Sequence, residues 1–256
     1  MTAVNGFTEY RQDRPRPMIV AHRGASALAP ENTISSFSRA LEIGADAVEF
    51  DIHQSSDGRL VVMHDESLER TTNGSGFIRD TDSNVLRGLD AGSWYASGFR
   101  GERIPTLEEA LDFITPAAYA LVEIKHGNDV YPGIEKKIAE LMSLRKSRRN
   151  RTVFIAFDPE ILLNIRELDA ELSTGLLTAD PPDDYIDVAE EFLVQCFFPK
   201  WERLRNESVS LLHKNGYSVH PWVIDREEDA VKVISMKPDS VSSNHPDMLK
   251  RIVGGG

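Results

Sequence analysis

Eight short apolar runs alternate with segments of helical period along this chain, and that alternation restricts its fold more than any other feature. The runs are "MIVA" (18–21), "AVEFDI" (47–52), "AYALVEI" (118–124), "TVFIAF" (152–157), "LSTGLL" (172–177), "FLVQCF" (192–197), "YSVHPWVI" (217–224) and "DSVSS" (239–243). Their length and their Val, Ile and Phe content mark them as strands. Between many of them lie "TISSFSRALEIG", "TLEEALDFI", "GIEKKIAELMSLRK", "PEILLNIRELD" and "REEDAVKVISM", whose apolar residues recur at helical spacing. Strand–helix succession makes βαβ units and hence a parallel sheet. Eight strands in 256 residues predict an α/β fold, a (β/α)8 TIM barrel. An open doubly wound sheet is the alternative, but no glycine-rich dinucleotide fingerprint follows the first run.

Three helix starts carry capping chemistry. Thr106 with Glu109 and Asp225 with Glu228 fit capping boxes, and Asp158 precedes Pro159 in the favoured first helical position. One stretch breaks the alternation. After the second strand, Asp57-Gly58 marks a hairpin turn, "LVVMHD" returns, and a Gly-, Ser-, Asp- and Asn-rich segment runs on to Pro105. That is far longer than an ordinary βα connection of roughly two to six residues. The reading is a single domain over 1–256, with an inserted lobe at about 53–105 above the C-terminal ends of the strands.

Bulk charge removes several function classes. The net charge of −12 lacks the basic footprint of a nucleic-acid binder and disfavours charge-driven adsorption to anionic membranes. No apolar run approaches the roughly 20 residues of a spanning helix, so no integral membrane association is expected. The N-terminus has no apolar core of a secretory signal. The lone Cys196 precludes an internal disulfide, fits a reducing compartment, and reads as a small core residue. A cytoplasmic location is therefore expected. "CFFPKW" reads as a buried sixth strand, "RKSRRNR" as a solvated helix C-terminus, and the terminal Gly-Gly-Gly as a tail. The sequence leaves the oligomeric state open.

The second strand carries the most informative pattern. Val48, Phe50 and Ile52 alternate on one face, as in a half-buried strand, which leaves Glu49, Asp51 and His53 together on the other. The first strand ends in His22 and Arg23, the third in Glu123 and Lys125, and the hairpin returns His64 to the same end. Barrel enzymes keep their chemistry at that end. Three gathered carboxylates repel unless a cation separates them, and an all-oxygen set suits one divalent cation, Mg²⁺ or Ca²⁺, better than zinc. Arg23 and Lys125 suit phosphate oxygens, and His22 and His64 suit a base and an acid. Together these describe phosphodiester cleavage. His53 reads as a hydrogen-bonded support. Glu31 and Asn32 read as shaping the first loop and capping the next helix, with Glu31 also a candidate substrate contact. Trp222 is a candidate pocket wall. His126, His213 and His245 have no constellation around them.

These motifs resemble those of the glycerophosphodiester phosphodiesterases. The match runs through "AHRGASALAPENTISSF", "GADAVEFDIHQSSDGRLVVMHDESLERTTNGSG", "LDAGSW", "GERIPTLEEAL" and "EIK", then loosens to "FD" at 157–158 and "HPW" at 220–222. The resemblance implies a metal-dependent barrel with a small inserted lobe. It implies His22 and His64 as catalytic, Arg23 as phosphate-binding, Glu49, Asp51 and Glu123 as metal ligands, and Lys125 as a substrate contact. The implied reaction, part of lipid and glycerol metabolism, converts a small glycerophosphodiester to an alcohol and glycerol 3-phosphate. His22 is expected as the base and His64 as the acid; the nucleophile is water or the glycerol's own neighbouring hydroxyl. Lysophospholipase D or sphingomyelinase-D-like action, or phosphodiester binding without turnover, are the alternatives. Relatives usually show Trp-Thr-Val-Asn where this chain has "WVID", a Thr-Asp pair where it has "SN" before "HP", and Ser-Phe-Asp where it has "AFD". These departures are expected to affect alcohol choice and to leave the metal ligands and histidines untouched.

Overall fold

The computed structural model describes residues 6–9, 15–182 and 184–254. Its strands are β1 (Met18–His22), β2 (Ala47–Gln54), β3 (Leu60–Val62), β4 (Tyr119–Ile124), β5 (Thr152–Ala156), β6 (Ser173–Thr178), β7 (Cys196–Pro199), β8 (Ser218–Val219) and β9 (Ser240–Ser243). All pair in parallel in the order β8-β7-β6-β5-β4-β2-β1-β9, except β3, which returns antiparallel on β2. Backbone hydrogen bonds from Asp239 to Val219, Ser242 to Pro221 and Ile224 to Ser242 bring the ends of this order together. Eight parallel strands thus form a nearly closed TIM barrel.

The β2 alternation is real, but the strand is not half-buried: all eight of its residues are buried. Val48, Phe50 and Ile52 lie in the layer beneath the helices, while Val20, Leu121, Ile155, Leu177 and Phe198 fill the barrel interior. Helices cover one face and the barrel core fills the other, so inward-facing acids are buried as well.

The five helices expected from periodicity form, as Ile34–Ile43, Leu107–Ile114, Ile134–Leu144, Pro159–Leu168 and Glu227–Ser235. Thr106 and Glu109 complete a capping box, and Asp158 accepts from the Glu160 amide ahead of Pro159. Asp225 does not cap. The helix begins after Arg226, and the Asp225 carboxylate turns towards the loop that follows β9. The helices Ser83–Gly88, Tyr185–Glu191, Asn206–Lys214 and Pro246–Gly254 were not anticipated.

Two strand boundaries shift for identifiable reasons. The sixth barrel strand starts at Cys196, not 192, because Phe192 and Val194 still donate to the helix carbonyls of Val188 and Ala189. One apolar run spans a helix end and a strand start, which periodicity does not separate. The seventh is regular only over Ser218–Val219: His220 and Trp222 still donate to the Phe197 and Pro199 carbonyls, but Pro199 on the neighbouring strand has no N–H to complete the ladder between them. The basic run is less solvated than expected. Arg149 is buried between Asp169 and Glu171, and Arg148 binds the Leu111 carbonyl and Asp112. Of the glycine tail, Gly254 ends the last helix, and residues 255–256 lie outside the described residues.

The barrel is stoppered at the N-terminal end of its strands. Phe7 is fully buried in the interior cluster, 4.3 Å from the His220 ring centroid and 5.5 Å from that of Tyr119. Ser218 at the start of β8 donates to the Thr8 carbonyl. Phe7→Ala should cost about 3–5 kcal/mol, the usual penalty for emptying a buried phenylalanine site. An unchanged urea midpoint would show that the ring contributes nothing. At the opposite end, the segment after β3 packs a cluster of its own from Val61, Met63, Leu68, Ile78, Leu86, Ala91 and Ile104. It touches the first loop where the Tyr95 hydroxyl donates to the Ala27 carbonyl.

Candidate active site

The chain leaves β1 through a left-handed turn, with Arg23 at φ 54° and Gly24 at φ 80°. Gly24 is required twice over, because a Cβ there would also stand 2.2 Å from Ser36 Oγ. Ser36 in turn donates to the Arg23 carbonyl, which pins the turn to the first helix. The turn aims the Arg23 amide at Glu49 Oε2, 3.0 Å away, and its guanidinium at Glu31 and Asp51, 2.9 and 3.4 Å away. Glu31 therefore meets Arg23, and it also accepts two bonds from Arg70. It caps nothing: Thr33 accepts from the Ser36 amide at the helix start. Asn32, at φ 60°, donates instead to Asp51 Oδ2 at 2.8 Å.

Glu49, Asp51 and Glu123 each offer an oxygen, and these lie within 4.8 Å of one another. Strand register brings them together, since Asp51 pairs with Glu123 across β2 and β4. Burial and the charges of Asp51 and Glu123 push Glu49 well above the usual carboxylate range. Burial and Asp51 raise Glu123 to about 7. Burial also pushes Asp51 up, but Lys125 and Arg23 outweigh it and hold Asp51 well below the carboxylate range. Lys125 Nζ donates to Glu123 at 2.7 Å and Asp51 at 3.1 Å, which leaves one N–H for the cavity. Among the described residues, Glu49 Oε1 is buried with no hydrogen-bond partner. A buried, orphaned oxygen within an all-carboxylate trio fits a hard divalent cation, so these residues could hold a metal ion.

His22 and His64 face the same cavity from different supports. His22 Nδ1 is 2.7 Å from Asn244 Oδ1, and its Nε2 is 3.8 Å from Glu49 Oε2. Burial and the Arg23 charge lower its pKa to about 4. His64 Nδ1 is 2.6 Å from Asp65 Oδ1, and Arg70 grips that carboxylate through Nε at 2.6 Å. Burial lowers His64 too, with Lys125 and Arg23 assisting and Asp51 and Asp65 opposing. His53 is a support: Nε2–H donates to the His64 carbonyl at 2.9 Å, so Nδ1 accepts from the Tyr131 hydroxyl at 2.7 Å.

The cavity holds about 200 Å³. Its lining combines the charged and polar Arg23, Glu49, His64, Glu123 and Lys125 with the apolar Leu121, Ile155, Leu177, Phe198, Phe157 and Trp222. Trp222 donates from Nε1 to the Phe198 carbonyl and meets Phe157 edge-on, while Phe157 is 47% exposed at the mouth.

Sequence reasoning passed over several residues that touch this site. Asn244, one of the departures expected to leave the histidines alone, bonds His22 directly, and Asp225, a second departure, bonds Asn244. Both follow the ends of barrel strands, which is the positional signal that could have found them. Asp65 and Arg70 lie in the hairpin return and lobe, where pairing cannot be read from spacing. His213, expected to stand alone, sits 2.8 Å from Asp239 Oδ2 at the barrel seam.

The model of the glycerophosphoryl diester phosphodiesterase family matches residues 22–248, nearly the whole barrel. The chain belongs to this family. A glycerophosphodiester phosphodiesterase of Caldanaerobacter subterraneus subsp. tengcongensis is 35% identical over 94% of this chain and 99% of the relative. Another from Bacillus subtilis is 33% identical over 94% and 87%. A solved phosphodiesterase of Oleispira antarctica, in complex with the product sn-glycerol-3-phosphate, superposes with a TM-score of 0.86 at 30% identity, covering 93% of this chain and 97% of that one. Among the described residues, no helix is long and apolar enough to cross a membrane.

Proposed function

We propose that this member of the phosphodiesterase family hydrolyses small glycerophosphodiesters to glycerol 3-phosphate and an alcohol. The observation that carries the reading is the convergence at one barrel mouth of a buried carboxylate trio, two cations and two histidines. The product complex of the Oleispira relative supports it. Glu49, Asp51 and Glu123 would hold one divalent cation, Mg²⁺ or Ca²⁺, which when bound would supply Lewis-acid chemistry at the phosphoryl group. Arg23 and Lys125 bind the non-bridging oxygens and offset charge that develops on them. Glu31 orients Arg23, and Trp222 walls the alcohol side.

The Nδ1 partners divide the roles of the two histidines. His22 rests on a neutral amide and presents Nε2 as the base that takes the nucleophile's proton. His64 rests on the Asp65 carboxylate, which stabilises an imidazolium, and it gives a proton to the departing alkoxide. The nucleophile is water or the glycerol's neighbouring hydroxyl, the latter favoured by proximity. One domain carries all these groups, with the lobe supplying Arg70. The low charge for nucleic acid and the single cysteine support a cytoplasmic enzyme without nucleic-acid partners.

Incubating purified protein with glycerophosphocholine and glycerophosphoethanolamine, with Mg²⁺, Ca²⁺ or EDTA, tests the reading. Metal-dependent release of glycerol 3-phosphate is expected; no turnover by folded protein with either metal would refute it. The exposed Phe157 and the apolar wall favour a second reading, cleavage of lysophospholipids, so lysophosphatidylcholine belongs in the same assay. Trp222→Ala should raise KM roughly tenfold and leave kcat within about twofold, because it removes a wall and no reacting group. A kcat loss larger than the KM change would place the indole nearer the chemistry.

A further inference from the structure

Behind His22, two polar residues from the last two barrel strands form a line. Asp225 Oδ1 accepts from the Asn244 backbone N–H at 2.8 Å and the Ser243 hydroxyl at 3.0 Å. Its Oδ2 accepts from Asn244 Nδ2 at 2.6 Å. Asn244 then offers Oδ1 to His22 Nδ1 at 2.7 Å. A primary amide has one donating and one accepting end, whereas a carboxylate only accepts. The carboxylate therefore claims the Nδ2 end and leaves the carbonyl for His22. Facing a carbonyl, His22 Nδ1 must carry the hydrogen, and Nε2, directed towards Glu49, keeps its lone pair.

Among the described residues, nothing else around Asn244 fixes its orientation. Ser26 Oγ is 2.7 Å from Asn244 Oδ1 but also 2.8 Å from the His22 carbonyl. A hydroxyl donates or accepts, so it tolerates either end of the amide. We infer that Asp225, acting through Asn244, is the positioning residue that sets the tautomer of His22. The inference rests on reading His22 as the base only for its effect on rate; the tautomer follows from the hydrogen-bond geometry.

The test is Asp225→Asn, Asn244→Asp and the double exchange, read by ¹⁵N shifts of the labelled histidines and by steady-state kinetics. In Asp225→Asn two amides face each other, Asn244 is free to turn, and Nδ2 can donate to His22. The Nε2–H form of His22 should then become detectable, with kcat down roughly 10–100-fold, the usual cost of losing an orienting partner, and KM little changed. The double exchange again offers His22 an acceptor backed by an amide; it should restore the Nδ1–H form and most of kcat. A His22 that stays wholly Nδ1–H in Asp225→Asn, or a double exchange no better than that single variant, overturns the inference. A shifted tautomer with unchanged kcat supports it and refutes His22 as the base. Should Asp225→Asn not fold, Asn244→Ala serves, and a wholly Nδ1–H His22 there is equally fatal.

Discussion

Chelating divalent cations should reduce turnover of glycerophosphodiesters to background and lower the melting temperature by roughly 5–10 °C. The activity loss follows from removing the Lewis acid and leaving Arg23 and Lys125 to offset the phosphoryl charge alone. The thermal effect follows from linkage. A ligand at 100 times its dissociation constant adds about 2.7 kcal/mol to stability, and a chain of this size gains roughly 2–4 °C per kcal/mol. Without the ion, the buried carboxylates have the positive charges of Lys125 and Arg23 and the Asn32 amide beside them, and among the described residues Glu49 Oε1 has no hydrogen-bond partner. Differential scanning fluorimetry across a Mg²⁺ and a Ca²⁺ titration checks the prediction. Glu123→Gln should flatten both titrations; if the melting temperature of that variant still climbs with added ion, the cation binds elsewhere.

Alanine at either His22 or His64 should leave a folded barrel that is roughly 10²–10⁴-fold slower, the range for losing an acid–base group. The two variants should part on a substrate whose leaving group needs no proton. With a nitrophenyl ester of glycerol phosphate, His64→Ala should recover most of the lost rate, because a nitrophenolate departs unaided. His22→Ala should stay impaired, since its nucleophile still has to lose a proton. Equal impairment of both on that ester would refute the division of roles drawn from Asn244 and Asp65.

Much of this architecture is legible in the chain because both periodicities are strict. The inward parity of Glu49 and Asp51 follows from period two alone, and the register of β2 on β4 then seats Glu123 beside Asp51. The capping boxes show where such reading ends. Thr106 with Glu109 and Asp225 with Glu228 look equivalent in sequence, yet only the first forms. The Asp225 side chain instead bonds the last residue of β9 and the one that follows it, a tertiary competitor that no local rule contains. The same holds for Arg149 on Asp169 and for Arg70 on Glu31, the long-range link that joins Arg23 to Asp65 and His64 and that spacing does not reveal. The helix Asn206–Lys214 was missed for a milder reason: its first turn is polar and lacks a side-chain cap.

Among the described residues, the ring of Phe7 closes the barrel at the N-terminal end of its strands, so the barrel is a cup. His220 and Phe198, against which that ring packs, also line the cavity, so its floor is sealed from beneath. Whatever enters must back out past Phe157 and Trp222, and reactant and products share one doorway. A cup of about 200 Å³ can swallow a phosphoryl group and a few atoms on either side of it. Anything longer trails into solvent, where the protein has no means of measuring its length. Tolerance of bulky alcohols, and inhibition by accumulated product standing in the doorway, both follow from a stopper at the far end of the molecule.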